Sequence, residues 1–464
     1  MTKLASHRRW LPVAECLVLV AVALVTACLY PLPHAARMTA ALAVAYAVPR
    51  SLYCRTTDAS TTGRAVLLLS AMWLAVIAIA FVHRATMAAG ASFTLPWLYN
   101  DAADYYDWAL AHYDGSAVQP KVTFWGYPAL ILGLWRVLGV NIIWPVAANV
   151  MATLTTLVLA GQLARRIDTT HRPQVGVAAM AMVAVMGFLA SQGSQMLKES
   201  WAYLAITLIA YGLAPSSNGY GSGKHDALVR CAWYAAGCFL LAAVRAKYVN
   251  FMFIGIAMMA LAGRLRQWRY YGSLLGVTLL CWMLGMAMTD HYTVVQQVNN
   301  VTGQGGMADL FQAEGAYQHI LGDYYHYPIW KRLLYLPVTC SVQWLIPFPW
   351  LPAGESVSLL NIAPRLRMGW YVLSGVVLYF YLFRSCRRDA VWAAWAWIPV
   401  MCYVGIAFMT AGTVSRYILA FQPWWMSLAA ITLFTCRRQP SFRWFMLAYL
   451  SLMAIALTAC FLMS

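Results

Sequence analysis

NIIWPVAANVMATLTTLVLAGQLARRI, residues 141–167, carries no charged side chain from Asn141 to Ala164 and then sets Arg165 beside Arg166. A spanning helix needs about 20 mostly apolar residues, and in hydrocarbon every backbone N–H and C=O must be bonded within the segment. The run therefore reads as a membrane-crossing helix. The paired arginines read as its cytoplasmic end, because Lys and Arg accumulate on that side. The whole chain repeats this pattern: 464 residues, 62% hydrophobic, only 10% charged, with a mean hydropathy of +0.63. An ordinary soluble globule is excluded. A membrane β-barrel would alternate apolar and polar residues, and no such alternation is present. The expected fold class is an all-α polytopic membrane protein, a single integral-membrane domain over residues 1–464.

Basic clusters separate the apolar runs at Lys3/Arg8/Arg9, Arg50/Arg55/Arg64, Arg165/Arg166/Arg172, Lys224/Arg230, Arg264/Arg266/Arg269, Arg384/Arg387/Arg388 and Arg437/Arg438/Arg443. With each cluster on the cytoplasmic side, the chain crosses twice between successive clusters. The expected spans are 11–32, 35–49, 65–82, 141–164, 174–191, 199–214, 230–244, 248–263, 271–289, 369–383, 390–410, 417–435 and 444–463. That makes about 13 helices, with the C-terminus outside. The N-terminal MTKLASHRRWLPVAECLVLVAVALV has the basic start and apolar stretch of a signal peptide, but lacks a convincing small-residue cleavage site and is expected to stay as the first helix. Two long outer segments remain, 83–140 and 290–368. Each holds an interrupted aromatic stretch, GYPALILGLWRVLG and LLYLPVTCSVQWLIPFPW, expected as a helix at the interface or on the outer face.

The formal charge of +17 is explained by this topology rather than by nucleic acid, since no soluble basic run is interleaved with stacking aromatics. The eleven cysteines are scattered singly with no CxxC pair, as small buried hydrophobes would be. The nine histidines form no ligand-like cluster, so zinc is not indicated. TGQGGM, 302–307, lacks the Lys-Ser/Thr of a phosphate loop. Asn300 in NNVT is a glycosylation acceptor only if the outer side is a lumen.

On this map ten of the fifteen carboxylates fall on the outer side: Asp101, Asp104, Asp107, Asp114, Asp290, Asp309, Glu314, Asp323, Glu355 and Glu199. In NDAADYYDWALAH, Asp101, Asp104 and Asp107 recur at every third residue and share a helix face, with Tyr105, Trp108 and His112 as neighbours. Helix capping accounts for part of this, since Asn100 or Asp101 suits an N-cap and acids suit a first turn. Capping would also lower the pKa of Asp101 and weaken it as a base. Three like charges on one face exceed what capping requires. In SQGSQMLKESWAYLAITL, Lys198 and Glu199 enter an apolar run, either to face a cavity or to snorkel outward as a pair. Arg245, Lys247, Lys331, Arg332 and Arg416 oppose the positive-inside bias; phosphate is a natural partner for them, with anionic head groups as the alternative.

The acidic D-x-x-D-Y stretch, the following WGYPALILGLWRVLGVN and a span ending VLAGQLARRI together resemble the integral-membrane glycosyltransferases of the GT-C superfamily. That group includes protein O-mannosyltransferases, lipid A aminoarabinose transferases and polyprenyl-linked sugar transferases. The resemblance covers about residues 95–170, more loosely MLKESWAYLAITL and SRYILAFQPWW; two additional helices precede the acidic loop here. It implies inverting transfer of a sugar from a polyprenyl-phosphate carrier to a lipid, glycan or protein hydroxyl at the outer face, with membrane lipids as further partners and no nucleic acid. Asp101 is then the base by its place in the motif, with Asp104 as its partner or the true base. Lys198, Glu199, Arg245, Lys247, Arg416, Lys331 and Arg332 are the substrate-binding candidates. A divalent metal is left open as a cofactor, and the expected location is a bacterial inner membrane with the site facing the periplasm or exterior. A polysaccharide polymerase or O-antigen ligase using lipid-diphosphate glycans is the alternative, for which outer-loop arginines should dominate. A transporter or flippase would place its charges at the bilayer midplane on repeated, broken helices, and no inverted repeat is visible.

Overall fold

The computed structural model describes residues 2–29, 31–54, 59–87, 101–116, 125–168, 172–186, 193, 195–214, 224–263, 268–287, 324, 327–345, 368–385, 389–410 and 419–463. Among these residues there are helices and no strand. The N-terminal half holds α1 (Thr2–Leu29), α2 (Leu32–Cys54), α3 (Ala59–Met87), α4 (Asp101–Asp114), α5 (Gly126–Leu138), α6 (Ile143–Ile167), α7 (Arg172–Val185) and α8 (Glu199–Leu213). After these come α9 (Lys224–Arg245), a 3-10 turn (Ala246–Tyr248), α10 (Val249–Ala262), α11 (Trp268–Ala287) and α12 (Ile329–Leu345). The chain continues through α13 (Met368–Phe383), α14 (Ala390–Thr410), α15 (Gln422–Cys436) and α16 (Pro440–Met463). Most of the second expected outer segment, with Asp290, Asp309, Glu314, Asp323 and Glu355, lies outside the described residues.

Every stretch read as a span overlaps a helix over its described residues. Five segments are long and apolar enough to cross a membrane by length and composition: Ile143–Ile167, Ala227–Arg245, Trp268–Ala287, Ala390–Met409 and Pro440–Thr458. Helices α8 and α15 have 15 residues each and so reach only about 22 Å, short of a hydrocarbon core of about 30 Å. Both are almost wholly buried by other helices. Hydropathy registers their apolar content, but a helix enclosed by protein need not match the thickness of lipid. The described parts of the two stretches expected at the interface lie on α5 and α12.

Local sequence sets the boundaries that matter for the site. Pro128 sits in the first turn of α5, where its missing N–H costs nothing. The helix ends at Gly139, whose φ of +82° is strained for a residue with a side chain. The following Asn141 then offers its side-chain oxygen to the Ile143 N–H at 2.9 Å, starting α6, while its carbonyl accepts from the Trp135 indole at 2.9 Å.

The core is built on α6 and α8. Helices α8 and α9 pack with backbones nearly touching: a Cβ on Gly237 would stand 2.7 Å from the Ala205 carbonyl oxygen, and one on Gly212 would stand 2.6 Å from the Tyr234 nitrogen. Small residues serve this purpose in membrane bundles, where close backbone approach replaces the hydrophobic effect as the source of cohesion. The C-terminal ends of α6 and α8 meet the N-terminal ends of α9 and α11. There the Arg166 guanidinium lies 5.1 Å from the centre of the Tyr211 ring, and that of Arg230 lies 5.2 Å from the Tyr270 ring. One end of this group is thus rich in arginine. Arg245 stands fifteen residues after Arg230 on the same helix, about 22 Å away.

Gly237→Val forces branched carbon against the Ala205 carbonyl, an overpacking that costs about 1–3 kcal/mol. The expected outcome is a thermal midpoint several degrees lower in detergent, read by tryptophan fluorescence; an unchanged midpoint would show that the α8–α9 crossing is not tight.

Candidate active site

Helix α4 opens at Asp101 and buries Ala102, Tyr105, Tyr106 and Ala109. Their i, i+3, i+4, i+7 spacing is the single-sided stripe of an amphipathic helix. The stripe docks on α5 through edge-to-face pairs, Tyr105 with Tyr127 at 5.4 Å and Tyr106 with Trp135 at 5.1 Å. Asp104 and Asp107 therefore point away and are exposed, while Asp101 is half-buried at the margin of the docked face. From Asp101, steps of four, three and four residues lead along one side of α4 through Tyr105, Trp108 and His112. Trp108 and His112 stack at 3.7 Å, and the His112 Nδ1 lies 2.8 Å from the Trp108 carbonyl oxygen. The Asp104 carboxyl sits above its ordinary range, first through desolvation by neighbouring groups and then through the charges of Asp101 and Asp107. It keeps this shift although the residue as a whole stays open to solvent.

Against this aromatic margin lies a buried charged group. Lys198 precedes α8, is 6% exposed, and carries its Nζ 5.2 Å from the centre of the Tyr105 ring. Glu199, 1% exposed, forms a salt bridge with Arg245, 3% exposed, at the far end of α9. The snorkelling alternative for Lys198 and Glu199 is excluded, since both side chains are enclosed by protein. Arg245 also lies 5.7 Å from the Tyr248 ring, and Tyr248 meets Phe421, just before α15, at 6.1 Å. The helix breaks at Arg245, whose φ/ψ of −155°/64° leave the helical region. This turns the chain into the 3-10 segment that brings Tyr248 under the guanidinium.

One amide holds the parts together. Asn149 on α6 is wholly buried. Its Nδ2 shares its two N–H groups among three acceptors, the Tyr127 hydroxyl at 3.0 Å, the Gln195 carbonyl at 2.6 Å and the Leu197 carbonyl at 2.8 Å, and its Oδ1 accepts from the Trp201 indole at 2.7 Å. A single side chain thereby fixes α5, which carries the docking surface of α4, relative to the turn that carries Lys198. Gly126 lets the start of α5 press on the last turn of α9, since a Cβ there would collide with the Ala243 backbone. Asn149 and Tyr127 were not singled out from the sequence as site residues. The usable signal was a lone amide in the apolar run AANVM, because polar groups at such depth are costly unless they bridge helices.

The other sequence candidates divide. Lys331 and Arg332 belong to a separate cluster on α12: Lys331 Nζ lies 3.5 Å from the Tyr327 ring centre, and Arg332 donates through Nε to the Tyr327 carbonyl at 3.0 Å. Tyr324, under the Arg332 guanidinium at 5.8 Å, donates to the Phe408 carbonyl at 2.9 Å, tying this cluster to α14. Arg416 lies outside the described residues, as does the side chain of Lys247. Among the described residues no three His, Cys, Asp or Glu side chains converge on a point that could hold a metal ion; the α4 aspartates are strung along a helix instead.

Two cations and one carboxylate leave the Lys198–Glu199–Arg245 group with a net positive charge, and the N-terminus of α8 adds its dipole. The arrangement can attract an anion beside carboxylates open to solvent. Removing one member of the buried pair leaves the other uncompensated at a cost of about 3–5 kcal/mol, whereas replacing both with apolar groups is much milder. Glu199→Leu and Arg245→Met should each lower the thermal midpoint sharply, and the double variant should recover most of the loss. A double variant as unstable as the sum of the singles would show that the two residues do not act as a pair.

No family model matches the sequence, and no curated protein matches it. Among solved structures, the chain is similar to the archaeal oligosaccharyltransferase AglB from Archaeoglobus fulgidus, determined in complex with an inhibitory peptide and a dolichol-phosphate. The identity is 12% and the TM-score 0.43, over 83% of this chain and 54% of that one, so the chain spans about half of that protein's length.

Proposed function

We propose that the protein is a membrane glycosyltransferase of the GT-C type, moving a sugar from a polyprenyl-phosphate carrier to a hydroxyl on a lipid, glycan or protein at the outer face. The observation that carries this reading is the meeting of the acidic helix α4 with the buried Lys198–Glu199–Arg245 group. Inverting transfer needs these two halves. A carboxylate takes the acceptor proton while the acceptor oxygen attacks the anomeric carbon; the anomeric carbon–phosphate oxygen bond breaks, and positive charge stabilises the departing polyprenyl phosphate. Asp101, half-buried at the margin of the docked face one turn before Tyr105, is assigned as the base, with Asp104 as its partner or the true base.

Lys198 is assigned to the phosphate. Arg245 acts through Glu199 and the local field, because its salt bridge already engages part of its fork. This also weighs against the lipid-diphosphate polymerase or ligase reading, which asks arginines to do most of the binding. Lys247 and Arg416 remain proposed phosphate contacts on charge alone, and Lys331 and Arg332 are proposed to hold the more distant part of a lipid-linked substrate.

Asp101→Asn should abolish transfer from a polyprenyl-phosphate sugar while leaving expression and thermal midpoint intact, and near-normal turnover would remove Asp101 as the base. The acidic limb of the pH–rate profile separates the two carboxylates. A base is active above its pKa, and the Asp104 pKa is raised in part by Asp107. If Asp104 is the base, Asp107→Asn lowers that pKa and moves the limb to lower pH. An unmoved limb counts against Asp104 as the base.

A further inference from the structure

Arg230 stands at the other end of α9 from Arg245 and is only 4% exposed. Its Nε donates to the Gly212 carbonyl at 3.3 Å, its guanidinium covers the Tyr270 ring, and its Nη2 meets no acceptor among the described residues. The end of α8 supplies a partial negative charge at Gly212, about half an elementary charge. A full buried charge is normally met by a carboxylate or another anion, since taking it out of water costs several kcal/mol. No carboxylate among the described residues pairs with Arg230. A second guanidinium, that of Arg166, lies over Tyr211, the residue next to Gly212.

We propose that this arginine-rich end of the bundle binds a phosphate group between α6, α8, α9 and α11, with Arg230 as its principal ligand and Arg166 as a second cation. Guanidinium forks match phosphate oxygens. Basic sites between spanning helices on the side where Lys and Arg accumulate take anionic head groups. The group is carried by an anionic phospholipid or by free phosphate. The site is separate from α4 and does not depend on glycosyl transfer.

The test uses the full chain in a neutral detergent, with phosphatidylglycerol, phosphatidylcholine and inorganic phosphate as probes, read by thermal midpoint and by native mass spectrometry. The expected result is stabilisation and retention with phosphatidylglycerol but not phosphatidylcholine, which assigns a lipid head group, or with inorganic phosphate alone, which assigns a soluble one. Arg230→Gln should lose the effect, while Arg443→Gln, at an exposed arginine, should keep it. Should Arg230→Gln fail to fold, Arg230→Lys keeps the charge without the fork and should bind about tenfold more weakly, a loss of the size expected for one charge-assisted contact. An equal shift in the Arg230 variants, or no shift with any probe, overturns the proposal. So does an Asp226→Asn variant that reproduces the stability loss of Arg230→Gln while no probe binds, since Asp226, one turn earlier in sequence, would then be the intrachain counter-ion.

Discussion

The salt bridge between Glu199 and Arg245 is the interaction on which the rest of the site depends. It joins the first turn of α8 to the last residue of α9, across the crossing where Gly212 and Gly237 bring the two backbones together. In a low-dielectric interior neither charge is tolerable alone, so the pair holds the ends of two helices in register. Arg245 also marks the break after which the 3-10 turn carries Tyr248 to Phe421 and the start of α15. Lys198, one residue before Glu199, is placed by the same constraint.

Neutral polar contacts extend that frame outward. Asn149 bridges α5 to the Lys198 turn, and α5 in turn receives α4 through Tyr127 and Trp135. The carboxylates open to solvent are thus held by aromatic edges, while the buried cations are held by an amide and an ion pair. The contrast suits a site in which one partner must reach water and the other must stay out of it. At the opposite end the pattern differs: Arg166 and Arg230 rest on tyrosine rings, and among the described residues no carboxylate pairs with Arg230 as Glu199 does with Arg245.

Much of the fold was legible in the sequence. The length and apolar character of runs such as 141–164 follow directly from what a bilayer demands of a backbone, and the described part of each such run lies largely on a helix. The α4 aspartates were legible as a helix face because three-residue spacing is a local property. What periodicity did not separate was Asp101 from Asp104 and Asp107. The docked stripe of Ala102, Tyr105, Tyr106 and Ala109 puts the first at a contact margin and leaves the others facing away. Nor did hydropathy tell how far a helix is enclosed by its neighbours, as α8 and α15 almost wholly are.

The sequence by itself determined the class, a helical membrane chain with scarce charges in identifiable places, because backbone satisfaction and residue spacing act over one or two turns. Only the tertiary structure decided which of those charges meet. Glu199 and Arg245 are 46 residues apart, and Asn149 reaches acceptors on two other segments of the chain. Lys331 and Arg332, of the same charge as Arg245, join a different cluster on α12. Such partnerships depend on how helices cross, and the crossings are set by glycines and side-chain shapes that act together across segments far apart in the chain.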